Sequence, residues 1–153
     1  MPMGCLEGNS IVITGSGRGL GRAYAHATAA EGASVVVNDL DAEEADRVVR
    51  EICDQGGSAI ASHHSVSEPS AMDAMVQLCI DRFGRIDGLV NNAALFFDSE
   101  PWEVTPHDVE RLVAANVLGT LYAGISAMRP MMDQGSGVIV NVTSGAHLGM
   151  ARM

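Results

Sequence analysis

SIVITGSGRGLG, residues Ser10 to Gly21, is the stretch on which the fold turns. Ile11, Val12 and Ile13 form a short continuous apolar run, entered from polar residues and left by glycines, as in a strand buried on both faces. The glycines let the backbone turn sharply and approach a bound group closely. From Gly19 to Glu31, Leu20, Ala23, Tyr24, Ala27 and Ala30 recur at helical spacing, and Gly32 stops the helix. A buried strand feeding a helix through a glycine turn predicts the opening unit of an α/β sheet.

The pattern repeats outward from there. Val35-Val36-Val37 reads as a second buried strand ending at Asn38-Asp39, and Asp41 to Gln55 as a helix with acids in its first turn and Gly56-Gly57 beyond its end. Ala59-Ile60-Ala61 is a weaker strand. Pro69 to Phe83 follows as a helix, with Ser67 as its expected N-cap. Asp87 to Val90 is a fourth strand, Pro106 to Met132 a long helix, and Gly137 to Val142 a fifth strand. Strands alternating with helices predict a Rossmann-like α/β fold, a doubly wound parallel sheet with helices on both faces. Its ligand belongs beyond the carboxyl ends of the strands.

The 153 residues are expected to form a single domain, 47% hydrophobic and 18% charged. A formal net charge of -10 repels polyanions, so neither nucleic acid nor an anionic membrane surface is an expected partner. No apolar run is expected to approach the roughly 20 residues of a membrane span. Cys5, Cys53 and Cys79 show no CxxC spacing, and the N-terminus carries neither a basic charge before Arg18 nor an apolar h-region. Reduced thiols and a cytoplasmic location are the expectation.

The glycine turn has a chemistry of its own. A helix N-terminus offers free N–H groups and a positive dipole end to a phosphate. The spacing departs from GxGxxG and matches TGxxxGxG through Gly15, Gly19 and Gly21. Asp39 lies 18 residues after Gly21, near the ~20-residue offset at which a carboxylate takes the ribose hydroxyls of NAD. That carboxylate would repel the 2′-phosphate of NADP, whereas Arg18 offers a counter-charge to it; NAD is favoured over NADP. His63 and His64 are adjacent on a strand and so face opposite ways, and no metal site is expected.

Together these motifs resemble those of the classical short-chain dehydrogenases/reductases over essentially the whole chain. Thr14 to Gly21 is similar to that family's cofactor turn, and Asn91-Asn92-Ala93-Ala94 to its NNAG motif, with Ala94 in place of the glycine. Asn116, in Asn-Val-Leu-Gly, and Ser144, after Val-Ile-Val-Asn-Val-Thr, stand where the family places its active-site asparagine and serine. The resemblance implies a nicotinamide-dependent oxidoreductase acting on a small alcohol or ketone. It implies that Gly15, Ser16, Gly17, Arg18, Gly19, Leu20 and Gly21 hold the pyrophosphate, Asp39 the adenosine ribose, and Asn91 with Ala93 the cofactor beside the central strands. Ser144 would hydrogen-bond the substrate oxygen, and Asn116 would hold a water in the proton relay. Where many members carry an adenine-binding Asp before a Val, this chain has Ser65-Val66, so Ser65 is the expected replacement.

The resemblance also implies a Tyr-x-x-x-Lys general acid/base about a dozen residues beyond Ser144, and the sequence ends at Met153 without a single lysine. The expectation is therefore a cofactor-binding portion, incomplete at its C-terminus, that lacks the family's last strands and helices and is inactive or nearly so alone. The alternative is a non-catalytic dinucleotide-binding or partner-binding module. The family's homo-oligomers use the long helix as one dimer surface. Leu95-Phe96-Phe97 and His147-Leu148 suggest an apolar-walled substrate pocket, and Val138 to Val142 an exposed apolar edge.

Overall fold

A computed structural model describes residues 4–100 and 102–144. Five strands, β1 (Ser10–Thr14), β2 (Ser34–Asn38), β3 (Ser58–Ser62), β4 (Gly88–Asn91) and β5 (Val138–Asn141), form one sheet in the order β3-β2-β1-β4-β5. Every pairing is parallel, as strands joined by helical crossovers require. The order reverses direction between β1 and β4, which puts the ligand crevice at the carboxyl ends of those two strands.

The strands alternate their apolar side chains between two cores. Ile11, Ile13, Val35 and Val37 face helices α1 (Gly19–Ala30) and α2 (Ala42–Asp54), packing with Ala25, Ala45, Val48 and Ile52. Val12, Val36 and Leu89 face the other way, onto α3 (Pro69–Phe83) and α5 (Gly119–Gln134), through Met72, Met75, Ala123 and Ala127. This is why the central strands read as unbroken apolar runs: both faces are covered. Each such side chain contributes roughly 1.5–3 kcal/mol by leaving water.

Two helix boundaries differ from expectation. Glu68, not Ser67, is the N-cap of α3 and gives no side-chain cap bond; the Ser67 N–H turns back to Ser65 Oγ. The long helix is interrupted: α4 (Pro106–Val113) passes into a π turn over Ala114–Leu118 before α5 continues. Contrary to expectation, Pro106–Gln134 is long and apolar enough to cross a membrane by length and composition. Its place here is a layer of the fold, its inner face on α3 and the sheet. Its outer face is an apolar stripe, with Val109, Val113, Val117, Leu121, Ile125, Met128 and Met132 all exposed.

Candidate cofactor and active site

The turn after β1 is bolted to the loop after β4. Thr14 Oγ1 accepts from the N–H groups of Asn92 (3.1 Å) and Ala93 (3.0 Å), and the Asn92 side-chain amide donates to the carbonyls of Thr14 (3.0 Å) and Gly15 (2.9 Å). This closeness dictates glycine. A Cβ at Gly15 would stand 2.7 Å from Ala93 Cα, and one at Gly21 would stand 2.2 Å from the Gly15 carbonyl oxygen. Gly19 differs: its φ is +56° and nothing stands within 4 Å of where its Cβ would be, at the first turn of α1. No side chain caps α1, and its first turn holds no acid. Unshielded N–H groups and a positive dipole end therefore face the crevice.

Asp39 closes the turn from the β2 side. Its Oδ2 accepts from the Gly17 N–H at 2.9 Å and its Oδ1 from the Asp41 N–H at 3.1 Å. Arg18 extends above it, with Nη2 2.7 Å from Asp41 Oδ2. Ser16 is buried, its N–H donating to the Asn38 carbonyl at 2.8 Å and its hydroxyl to the Ile13 carbonyl at 2.7 Å. Both its donors are committed inward, so Ser16 fixes the turn and offers neither to a ligand. Leu20 points outward, 65% exposed.

Asn38 is buried and its amide donates to Ser62 O, Ser62 Oγ and His64 O, tying the end of β2 to the end of β3. Asn38 is not among the residues expected at the site, although a polar residue closing a valine run just before Asp39 is a usable signal. Val66 packs on Gly119 so closely that a Cβ there would stand 2.9 Å from Val66 Cγ2. His64 Nδ1 lies 2.9 Å from Ser62 Oγ, while His63 Nε2 lies 3.0 Å from Asp46. Among the described residues no three His, Cys, Asp or Glu side chains gather as a metal site.

Asn91 is placed differently from expectation. It lies on the same face of β4 as Leu89, and its amide donates to Asn141 Oδ1 (2.9 Å) and Thr120 O (3.3 Å). It ties β4 to β5 and α5, while Asn92 and Ala93 line the crevice instead. Asn116 sits in the π turn, its Oδ1 accepting from Leu95 N at 2.7 Å and its Nδ2 donating to Leu95 O at 2.9 Å. The side chain clamps the loop after β4. Ser144 is exposed three residues past Asn141, whose pairing with Asn91 sets it at the carboxyl edge of the sheet. His147 and Leu148 lie outside the described residues.

Between these elements lies a cleft of about 810 Å³, walled by Gly15, Asp39, His64, Val66, Ala93 and Phe96, with Arg111 stacked 5.5 Å over the Phe97 ring at its rim. It is a size that takes a small molecule or cofactor. One end holds anion-seeking N–H groups, the middle a carboxylate, and the far wall apolar side chains.

The chain is similar to several proteins of known name. The family model described as short chain dehydrogenase matches residues 9–152. The chain is 42% identical over 142 residues to the sorbitol dehydrogenase of Cereibacter sphaeroides, an overlap of 92% of this chain and 54% of that one. It is 35% identical over 141 residues to the 7alpha-hydroxysteroid dehydrogenase of Escherichia coli (strain K12), covering 92% and 55%. A solved 7 alpha-hydroxysteroid dehydrogenase complexed with NADH and 7-oxo glycochenodeoxycholic acid superposes with a TM-score of 0.89 at 34% identity, over 95% of this chain and 57% of that one. The chain spans about half the length of these relatives. With almost its whole length matched by the family model, this chain belongs to the short chain dehydrogenase family of oxidoreductases.

Proposed function

We propose that this chain binds NAD across the carboxyl ends of β1, β2 and β4, in the service of hydride transfer between the nicotinamide and a small alcohol or ketone. One observation carries the reading: Arg18, the N-cap of α1, lines the same cleft as Asp39, and no side chain caps that helix. The donor set fits the group. The first turn of α1, at the open Gly19, would receive the pyrophosphate, and Asp39 would accept from the ribose hydroxyls. When bound, NAD supplies the hydride acceptor for the substrate's carbinol carbon. Ser144 would donate a hydrogen bond to the substrate oxygen, holding it and stabilising charge that develops there. Asn116 would act by keeping the Leu95 loop in place as the cleft wall, and through Leu95 and Phe96 that wall favours an apolar substrate flank.

A proton must also leave the alcohol hydroxyl. Tyr24 packs against the core under α1 and α2, Tyr122 against the opposite core, and the chain has no lysine to lower a tyrosine's pKa. We therefore infer negligible turnover by these 153 residues alone. The stripe on α4 and α5 supports self-association with a second copy. Two measurements test the proposal. Saturable NAD binding that is lost in Gly19→Val supports the site, whereas binding indifferent to that change contradicts it. Alcohol-dependent NADH formation should stay at background; robust turnover abolished by Ser144→Ala would overturn the inference of inactivity.

A further inference from the structure

The charge set around Asp39 poses a question that Asp39 alone does not answer. Arg18 stands in the glycine turn where it can meet a phosphate on the adenosine ribose, yet its guanidinium is engaged at Asp41, Nη2 to Oδ2 at 2.7 Å. The two side chains are 65% and 42% exposed, so the pair adds little to stability. Its placement is more informative. Asp41 Oδ1 caps α2 by accepting from the Glu44 N–H at 3.3 Å, while its own N–H holds Asp39 Oδ1 at 3.1 Å. The cap thereby anchors the carboxylate that restrains Arg18. Around the ribose position two carboxylates face one guanidinium, leaving one net negative charge; without the Asp41 charge the set is neutral and Arg18 is released.

We propose that Asp41 is a specificity-determining residue, a positioning residue that acts through Arg18 to keep the site closed to a 2′-phosphorylated dinucleotide. The inference rests on the NAD-binding reading above. Asp39 sets the preference for free ribose hydroxyls. Asp41 prevents the neighbouring arginine from offsetting it.

The test is an equilibrium titration of the chain with NADP and with NAD, for the parent, Asp41→Asn and Asp41→Ser. Asn and Ser both retain an oxygen that caps α2, so helix integrity is preserved while the charge is removed. The expected result is a rise of about tenfold in the ratio of NADP to NAD affinity at low salt in both variants, shrinking as ionic strength rises. In an Arg18→Gln background the same changes at Asp41 should leave the ratio flat, because the released cation is gone. A merely structural role would move both affinities together. An unchanged or falling ratio in a parent that binds NAD overturns the inference alone. A rise that persists without Arg18 overturns the route through the arginine. A parent that binds neither dinucleotide overturns the NAD site and this inference with it.

Discussion

The two flanks of the sheet use the same kind of sequence to different ends. On the β2 flank, Val35, Val36 and Val37 are each 0% exposed, covered by α1 and α2 on one face and by α3 on the other. On the β5 flank, Val138 is 62% and Val140 48% exposed, and only Ile139 packs inward, onto the α3–α5 core. The composition of the two strands does not distinguish them. What differs is the number of layers the neighbouring elements supply, and burial follows the neighbours. The polar groups that define the cleft, Asp39, Asn38 and the glycine turn, all stand on or beside the fully covered flank. There the strands they extend from are packed on both faces.

The largest effect that sharpens this contrast is on stability. Ile13→Ala, at a fully buried position shared by β1 and the α1–α2 core, should cost about 2–5 kcal/mol. Ile125→Ala, on the exposed stripe, should stay within about 0.5 kcal/mol. Denaturant unfolding of both variants checks the pair. Comparable losses would break the distinction between covered and exposed apolar positions.

Association should reverse the ranking. Leu121 and Ile125 are 55% and 63% exposed in the middle of the stripe. Replacing both by lysine should weaken self-association about tenfold or more, since each buried apolar side chain contributes roughly 1.5–3 kcal/mol to a contact. Sedimentation velocity over a concentration series reads this out, and an unchanged profile would rule the stripe out as the contact.

Glycines separate the flanks more finely. Gly21→Ala places a methyl 2.2 Å from the Gly15 carbonyl oxygen and 2.6 Å from Asn92 Nδ2, and should destabilise by about 1–3 kcal/mol. Gly124→Ala, in mid-helix with open space at its Cβ, should stabilise by about 1 kcal/mol. Thermal melts of the two decide it.

The smallest expected effect is a pH dependence. Glu51 on α2 receives Arg22 and His26 from α1, and chiefly the Arg22 guanidinium holds its carboxyl below the ordinary 4.5. A depressed carboxyl binds fewer protons folded than unfolded, so its small contribution is present above pH 4.5 and lost as acid protonates it. Glu51→Gln should flatten the acid limb of the stability profile slightly.

These contrasts also show what the sequence could reveal. The parallel sheet was legible because each central strand is an unbroken apolar run and each is followed by a helical repeat. Asp39 and the glycine turn were legible by spacing. The π turn at Asn116 was not, because Ala114-Ala115-Asn116-Val117-Leu118 has the composition of an ordinary helix and the backbone register shift leaves no mark on it. The direction of the Asn91 side chain was readable from the strand period: two residues from Leu89, it shares that residue's face and turns toward α5, while Asn92 and Ala93 line the cleft. Ser16 looked like a cofactor contact because it sits among the glycines, yet its hydroxyl closes the seam between β1 and β2.

The cleft at the covered flank is proposed to hold one dinucleotide. The direct test is a calorimetric titration of the chain with NAD, run beside Asp39→Asn. The predicted result is one saturable site in the parent and an affinity lower by about ten- to a hundredfold in the variant, the loss of a charge-assisted hydrogen bond. Equal affinities for the two proteins, or no heat of binding in the parent, would contradict it.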